Sequence, residues 1–149
     1  MIKQKLQEEL KQSMLSRNEL RTSVLRLLLS AINYYEINKA GAGYEATDED
    51  VLYVVQKEAK QRKDSIEQFQ NAGRQDLVDK ETKELEILQK YLPEQLSQEV
   101  LISLVTQTIK EVGATSTADI GKVMKALMPK VKGKADGGTV SKIVKEELS

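Results

Sequence analysis

Residues 20–39, LRTSVLRLLLSAINYYEINK, decide the fold class of this 149-residue chain. Leu20, Val24, Leu27, Leu28, Ala31, Ile32 and Tyr35 recur at three- and four-residue steps, the spacing of one broad apolar helix face. Upstream, Ile2, Leu6, Leu10 and Met14 recur every four residues and predict a first helix. Ser16-Arg17-Asn18 breaks it, with Ser16 or Asn18 as N-cap of the next. The second helix is expected to end near Lys39, because Ala40-Gly41-Ala42-Gly43 propagates a helix poorly. Downstream, Thr47-Asp48-Glu49-Asp50 reads as a capping box with Asp50 in the usual place of Glu. The helix it opens is expected to run to about Ala72 and stop at Gly73. A fourth spans Asp76 to Tyr91, with Leu77, Leu85, Leu88 and Leu92 inward.

Pro93 marks a boundary, because a residue that precedes proline is biased away from helix. Leu92 to Ser97 reads as a linker, with Ser97 as the next N-cap. Val100, Leu101, Leu104, Val105, Thr108, Ile109 and Val112 form a stripe that Gly113 closes. Ser116 or Thr117 opens a helix that carries Ile120, Val123, Met124, Leu127, Met128 and Val131 inward. Gly133 to Gly138 reads as a turn, and a last helix carries Val140, Ile143, Val144 and Leu148. The expectation is an all-α protein: a four-helix N-terminal domain over residues 1–92, then a compact three-helix tail over 93–149.

Composition narrows the chemistry. The chain has no Cys and no His. Thiolate chemistry, disulfides and every histidine-activated nucleophile are therefore excluded, and a transition-metal site would have to be built from carboxylates alone. The helix-start acids Asp48, Glu49 and Asp50 fit dipole compensation better than a magnesium site. No P-loop or GxGxxG motif occurs. No cofactor and no metal are expected. The longest apolar run, Val24–Leu29, is interrupted by Arg26 and is far short of a membrane span. The start, MIKQKLQEEL, lacks the apolar core of a signal peptide, and a soluble, cytoplasmic protein is expected.

The charge pattern offers a binding signal instead. The chain holds 23 basic and 23 acidic residues, yet Gly121–Lys134 carries five lysines and no acid. Lys122 and Lys125 are neighbours on a helix face opposite Ile120, Val123 and Leu127. Lys130, Lys132 and Lys134 lie where that helix ends, and there they also suit the dipole. Gly137-Gly138 sits at a helix start, where bare N–H groups could meet a phosphate oxygen; a tight turn with positive φ is the plainer reading. Arg74, after Gly73, could clamp a phosphate or a neighbouring carboxylate. Lys57, Lys60, Arg62, Lys63 and Asp64, interleaved with Glu58 and Glu67, read as a salt-bridged face. Tyr34, Tyr35 and Tyr44 could stack on bases, with Tyr35 better placed in the core. No acid–base or nucleophile–base pair is found.

Three segments, KQRKDSIEQFQNAGRQDL (60–77), YLPEQLS (91–97) and DIGKVMKALMPKVKGKADGGTVSKIVKEEL (119–148), together resemble the GatB/YqeY family over essentially the whole chain. The likeness is greatest to the free-standing YqeY-like proteins, small bacterial cytosolic proteins. The family also includes the B subunit of the glutamine-dependent aminoacyl-tRNA amidotransferase, a carbon–nitrogen ligase with glutamine as amido donor. The resemblance implies an all-helical, two-part architecture whose tail approaches the tRNA body. It does not bring the ligase activity with it, because the cradle domain that handles ATP, magnesium and the acyl-tRNA end is missing. Lys122, Lys130, Lys132, Lys134 and Lys142 sit in the matching tail motif. They join Lys125, Gly137, Gly138 and Arg74 as candidate phosphate contacts. A non-catalytic, tRNA-binding protein is expected. The alternative is an adaptor that docks on an amidotransferase or an aminoacyl-tRNA synthetase, which an apolar patch left exposed after folding would favour.

Overall fold

Side-chain caps fix where several helices begin. Asn18 accepts a hydrogen bond from Arg21 N–H and opens α2 (Glu19–Ala40). Thr47 and Asp50 form the reciprocal capping box of α3 (Asp48–Asn71), at 3.1 Å in both directions. Ser97 caps α5 (Gln98–Val112), and Asp136 caps α7 (Gly137–Leu148). Each cap supplies an acceptor to an N–H that the helix itself cannot satisfy. The remaining helices are α1 (Ile2–Leu15), α4 (Gln75–Gln89) and α6 (Ile120–Val131). The computed structural model describes residues 1–149. It is all-α, and it separates into two compact units, Met1–Leu92 and Pro93–Ser149. None of its helices is long and apolar enough to cross a membrane.

In the first unit, α1 and α2 form an antiparallel hairpin, and α3 and α4 pair extensively. Leu6 of α1, Val24, Leu25, Leu28 and Ile32 of α2, Val51, Val54 and Val55 of α3, and Leu88 of α4 form the core. This core takes the first part of α3. The distal part of that helix runs alongside α4, where Val78 and Leu85 are buried outside the main cluster. The hairpin loop between α1 and α2 places Arg17 at φ 57°, the left-handed region that costs a non-glycine residue about 1–2 kcal/mol. Arg17→Gly is therefore expected to stabilise the protein by about 1 kcal/mol, read as a higher urea midpoint. A lower midpoint would mean that the Arg17 side chain contributes more than the strain removes.

In the second unit, Leu101 and Val105 of α5, Val123, Leu127 and Val131 of α6, and Val140, Ile143, Val144 and Leu148 of α7 close a separate core. The start expected at Ser116 or Thr117 is a 3₁₀ turn, Thr117–Asp119, and the α-helix begins only at Ile120. Pro129 lies inside α6. It has no N–H to give the carbonyl four residues back, that of Lys125.

Several residues expected in the core lie outside it. Met14 is 49% exposed and Leu27 54%, while Ser13, beside Met14, and Thr22 are buried. The reason is local: the Ser13 and Thr22 hydroxyls share a hydrogen bond at 2.8 Å, which satisfies both where α1 and α2 meet. Met14 is then turned outward, about 100° from Ser13 around the helix. Val100 and Met128, expected inward, are also exposed.

Candidate nucleic-acid interface

The tail lysines depend first on α6. Val123, Leu127 and Val131 bury one stripe of it, which leaves Lys122, Lys125 and Lys130 exposed. At about 100° per residue, Lys125 lies about 60° to one side of Lys122 and Lys130 about 80° to the other. The lysines therefore divide between two flanks instead of forming one row. Lys130 turns toward α5, where its ammonium meets the Glu111 carboxylate at 3.0 Å and Thr108 Oγ1 at 3.5 Å. Its charge is largely answered within the protein. Lys125 is exposed and in no ion pair. Near Lys122 lies Asp119, whose carboxyl is held below its ordinary range chiefly by the Thr115 N–H, with a lesser contribution from the Lys122 charge.

Beyond α6, Lys132 is the exposed C-cap residue, and the chain turns through Gly133 at φ 75°. A Cβ at Gly133 would also lie 3.6 Å from Pro93 Cγ. Sequence reasoning missed how this turn is held. The linker is clipped onto it: Leu96 N–H donates to the Lys134 carbonyl at 2.9 Å, and Gln95 Nε2 donates to the carbonyls of Gly133 and Pro93. The side chain of Lys134 is exposed on the turn so formed. Lys142 projects from α7 opposite the buried Val140, Ile143 and Val144.

Two other candidates are used differently from expectation. Gly137 and Gly138 are not a turn with positive φ; they form the first turn of α7. Asp136 already occupies the end of that helix, where its carboxylate accepts from Thr139 N–H at 3.1 Å and from the Thr139 hydroxyl at 3.2 Å. A phosphate there would meet a carboxylate. Arg74 belongs to the first unit and holds Asp76 in a two-point contact, Nε to Oδ1 at 3.2 Å and Nη2 to Oδ2 at 3.1 Å. That pairing raises the guanidinium pKa and lowers that of the carboxyl. Of the two roles considered for Arg74, the geometry takes the carboxylate clamp.

The three tyrosines also divide. Tyr35 and Tyr44 donate to Asp50, and Lys39 lies 5.6 Å and 5.3 Å from their ring centroids. Tyr34 is 71% exposed. Asp50 is thereby committed to its own neighbours, and Asp48 accepts from Ile2 N–H at 2.9 Å. Arg62, expected on a salt-bridged face with Glu58 and Glu67, turns inward and pairs with Glu81 and Glu84 of α4.

These elements define an all-helical protein of two compact units, the second with an exposed, unevenly paired set of lysines. The chain belongs to the YqeY family, whose model, described as Yqey-like protein, matches residues 3–148. It is 34% identical over 148 residues to a Pyrenophora tritici-repentis protein named altered inheritance of mitochondria protein 41, mitochondrial; the match covers 95% of this chain and 78% of the relative. A protein of the same name from Clavispora lusitaniae is 32% identical over 126 residues, covering 82% of this chain and 71% of the relative. That from Saccharomyces cerevisiae strain YJM789 is 40% identical over 88 residues, covering 58% and 46%. The cytoplasmic placement expected from composition is overturned by these relatives, which are fungal and named as mitochondrial.

Proposed function

We propose that this YqeY-family chain is a non-catalytic RNA-binding protein that meets folded RNA, tRNA first, through the second unit. The observation that supports this most is the outer side of α6. Lys122 and Lys125 are exposed one turn apart above a fully buried stripe, and Lys134 and Lys142 are exposed beyond them. Phosphate contacts by lysine would supply affinity, and the shape of the RNA its selectivity. The revised contact set is Lys122, Lys125, Lys134 and Lys142. Lys130 is set aside because Glu111 holds it, and Gly137-Gly138 because Asp136 caps that helix. By the names of its relatives, the RNA would be met in a mitochondrion.

The test is fluorescence anisotropy with bulk tRNA at about 50 mM and about 200 mM salt. Four phosphate contacts should weaken binding about 100-fold between the two conditions. Reversal of Lys122, Lys125 and Lys134 to Glu is expected to abolish binding at the higher salt, whereas Lys130→Glu changes it less than about threefold. Unchanged affinity in the triple variant would remove these lysines as the contact.

A second reading, an adaptor that docks on an amidotransferase or synthetase, is supported by a separate observation. Leu27, Tyr34 and Ile37 of α2 remain more than half exposed after the first unit folds.

A further inference from the structure

The α1–α2 hairpin is buried on one side and open on the other. Its open side holds a groove of about 480 Å³, lined by Gln7, Leu10, Lys11 and Met14 of α1 and by Leu29 and Asn33 of α2. Three of the six lining residues are apolar, none is acidic, and Lys11 is cationic. Arg26, one turn before Leu29, extends a guanidinium nitrogen to 3.9 Å from the Met14 sulfur and so places a second cation at that end. Beyond Asn33 and Arg26, the same side of α2 carries exposed Ser30, Ile37 and Tyr34, so two large apolar side chains flank the groove.

We infer that this groove is a docking site for an amphipathic α-helix of a partner protein, with apolar residues seated between α1 and α2 and carboxylates facing Lys11 and Arg26. The form of the partner follows from the walls. Both are helices whose backbone groups bond within themselves, and the all-α fold offers no strand edge for an extended peptide to pair with. A helix brings its own backbone bonds and needs only side-chain contact. The sign of the partner follows from the lining. A basic helix would meet two cations in a groove whose lining holds no carboxylate, and like charges at an interface suppress association. Adaptable Met14 at the groove mouth suits a helix face of imperfect fit. The inference is independent of the RNA reading: it uses the first unit alone, and neither Lys11 nor Arg26 belongs to the proposed phosphate set.

The probe is a pair of labelled 18-residue helical peptides with the same leucine stripe, one flanked by glutamates and the other by lysines. Titrated against the full chain, the glutamate peptide is expected to bind at least about 10-fold more tightly. Backbone amide shifts should be confined to α1 and α2. Lys11→Glu with Arg26→Glu, both exposed positions that leave the core intact, should invert the preference. Met14→Asp should remove binding of either peptide, with circular dichroism showing the fold retained. Equal binding of both peptides, absence of binding, or shifts outside α1 and α2 would overturn the inference. So would concentration-dependent self-association that the charge reversal abolishes, because the groove would then be filled by a second copy.

Discussion

Arg62→Leu is expected to destabilise the protein by about 3–5 kcal/mol, enough to leave a marginally stable chain largely unfolded under mild denaturant. Arg62 lies on α3 and faces α4, with its side chain only 11% exposed. Its Nη1 bridges Glu81 Oε2, at 3.1 Å, and the Glu84 carboxylate. Glu84 is buried in α4, as are Val78, Leu85 and Leu88. Without the guanidinium, Glu84 is a buried charge one helical turn from Glu81, another charge of the same sign. Desolvation and repulsion then act together, which is why removal of one partner costs more than the intact pair contributes. Arg62→Leu combined with Glu84→Leu should recover most of the loss, because the buried charge goes with its partner. Arg62→Lys should fall between, since a single ammonium cannot span two carboxylates as the planar guanidinium does. Urea midpoints by circular dichroism would order the three variants. A cost below about 1 kcal/mol for Arg62→Leu would show that the site is solvated and the pairing dispensable. The Nε of Arg62 has no partner and is shut from solvent, so the trio is already strained in its hydrogen bonding.

Arg62 also shows how far the sequence could be read. Its neighbours Lys57, Lys60 and Lys63 are exposed, and interleaved signs along KQRKDSIEQFQ describe that face well. What distinguishes Arg62 is which residues of α4 come opposite it, and that register is fixed by tertiary packing. Caps are different: Asn18, Thr47–Asp50 and Ser97 act on N–H groups two or three residues away, so they are legible locally. The same holds for the apolar stripes of α2 and α5 in their broad placement. Leu27 and Met14 were misplaced because periodicity gives a face about 100° wide without saying which edge the neighbouring helix covers. Buried Ser13 and Thr22 satisfy each other across a hairpin, an arrangement no single-helix pattern carries. In the tail, the lysine cluster was visible as composition. Its division between the two flanks of α6, and the hold of Glu111 on Lys130, depend on how α5 packs. Asp136 as a cap was within reach of sequence reasoning: an Asp just before a helix start is a common N-cap, and its carboxylate is a local argument against an anion site at Gly137-Gly138.

The two proposed surfaces lie in separate units, and the chemistry of each follows from what its own unit leaves unanswered. In the second unit the residue left over is charge, Lys122 and Lys125 above a buried stripe. In the first it is apolar area beside two cations. The proposed RNA binding therefore rests on the second unit alone and the proposed helix docking on the first, so each can fail without the other.

Asp50→Ala is expected to cost about 2–4 kcal/mol at neutral pH, and the cost should shrink in acid as its charge-dependent part is lost. Asp50 is buried, yet its carboxylate accepts from Tyr35 OH at 3.0 Å, Lys39 Nζ at 2.8 Å, Tyr44 OH at 2.5 Å and Thr47 N–H at 3.1 Å. These donors come from the end of α2, the loop that follows and the start of α3, so one carboxylate fixes the connection between two helices. Lys39 first, then Tyr44, hold the Asp50 carboxyl far below the ordinary carboxylate range against the opposing effect of burial. A carboxyl whose folded pKa is depressed contributes stability that is complete above its unfolded value, near about 4, and is lost as pH falls toward the folded one. The difference between wild type and Asp50→Ala should therefore be full at pH 7 and shrink from about pH 4 downward. Wild-type acid sensitivity alone would not isolate it, because Glu36 and Asp48 are also lowered, by Lys3 and by the Ile2 N–H respectively. The variant also relieves a repulsion between Asp50 and Glu36, which works in the opposite direction and keeps the expected cost at the lower end for so many hydrogen bonds. Urea midpoints of both proteins at about pH 7, 4 and 2.5 would decide it. A difference that stayed constant across the three would mean that Asp50 acts through packing and its capping bond to Thr47, and that its charge contributes nothing.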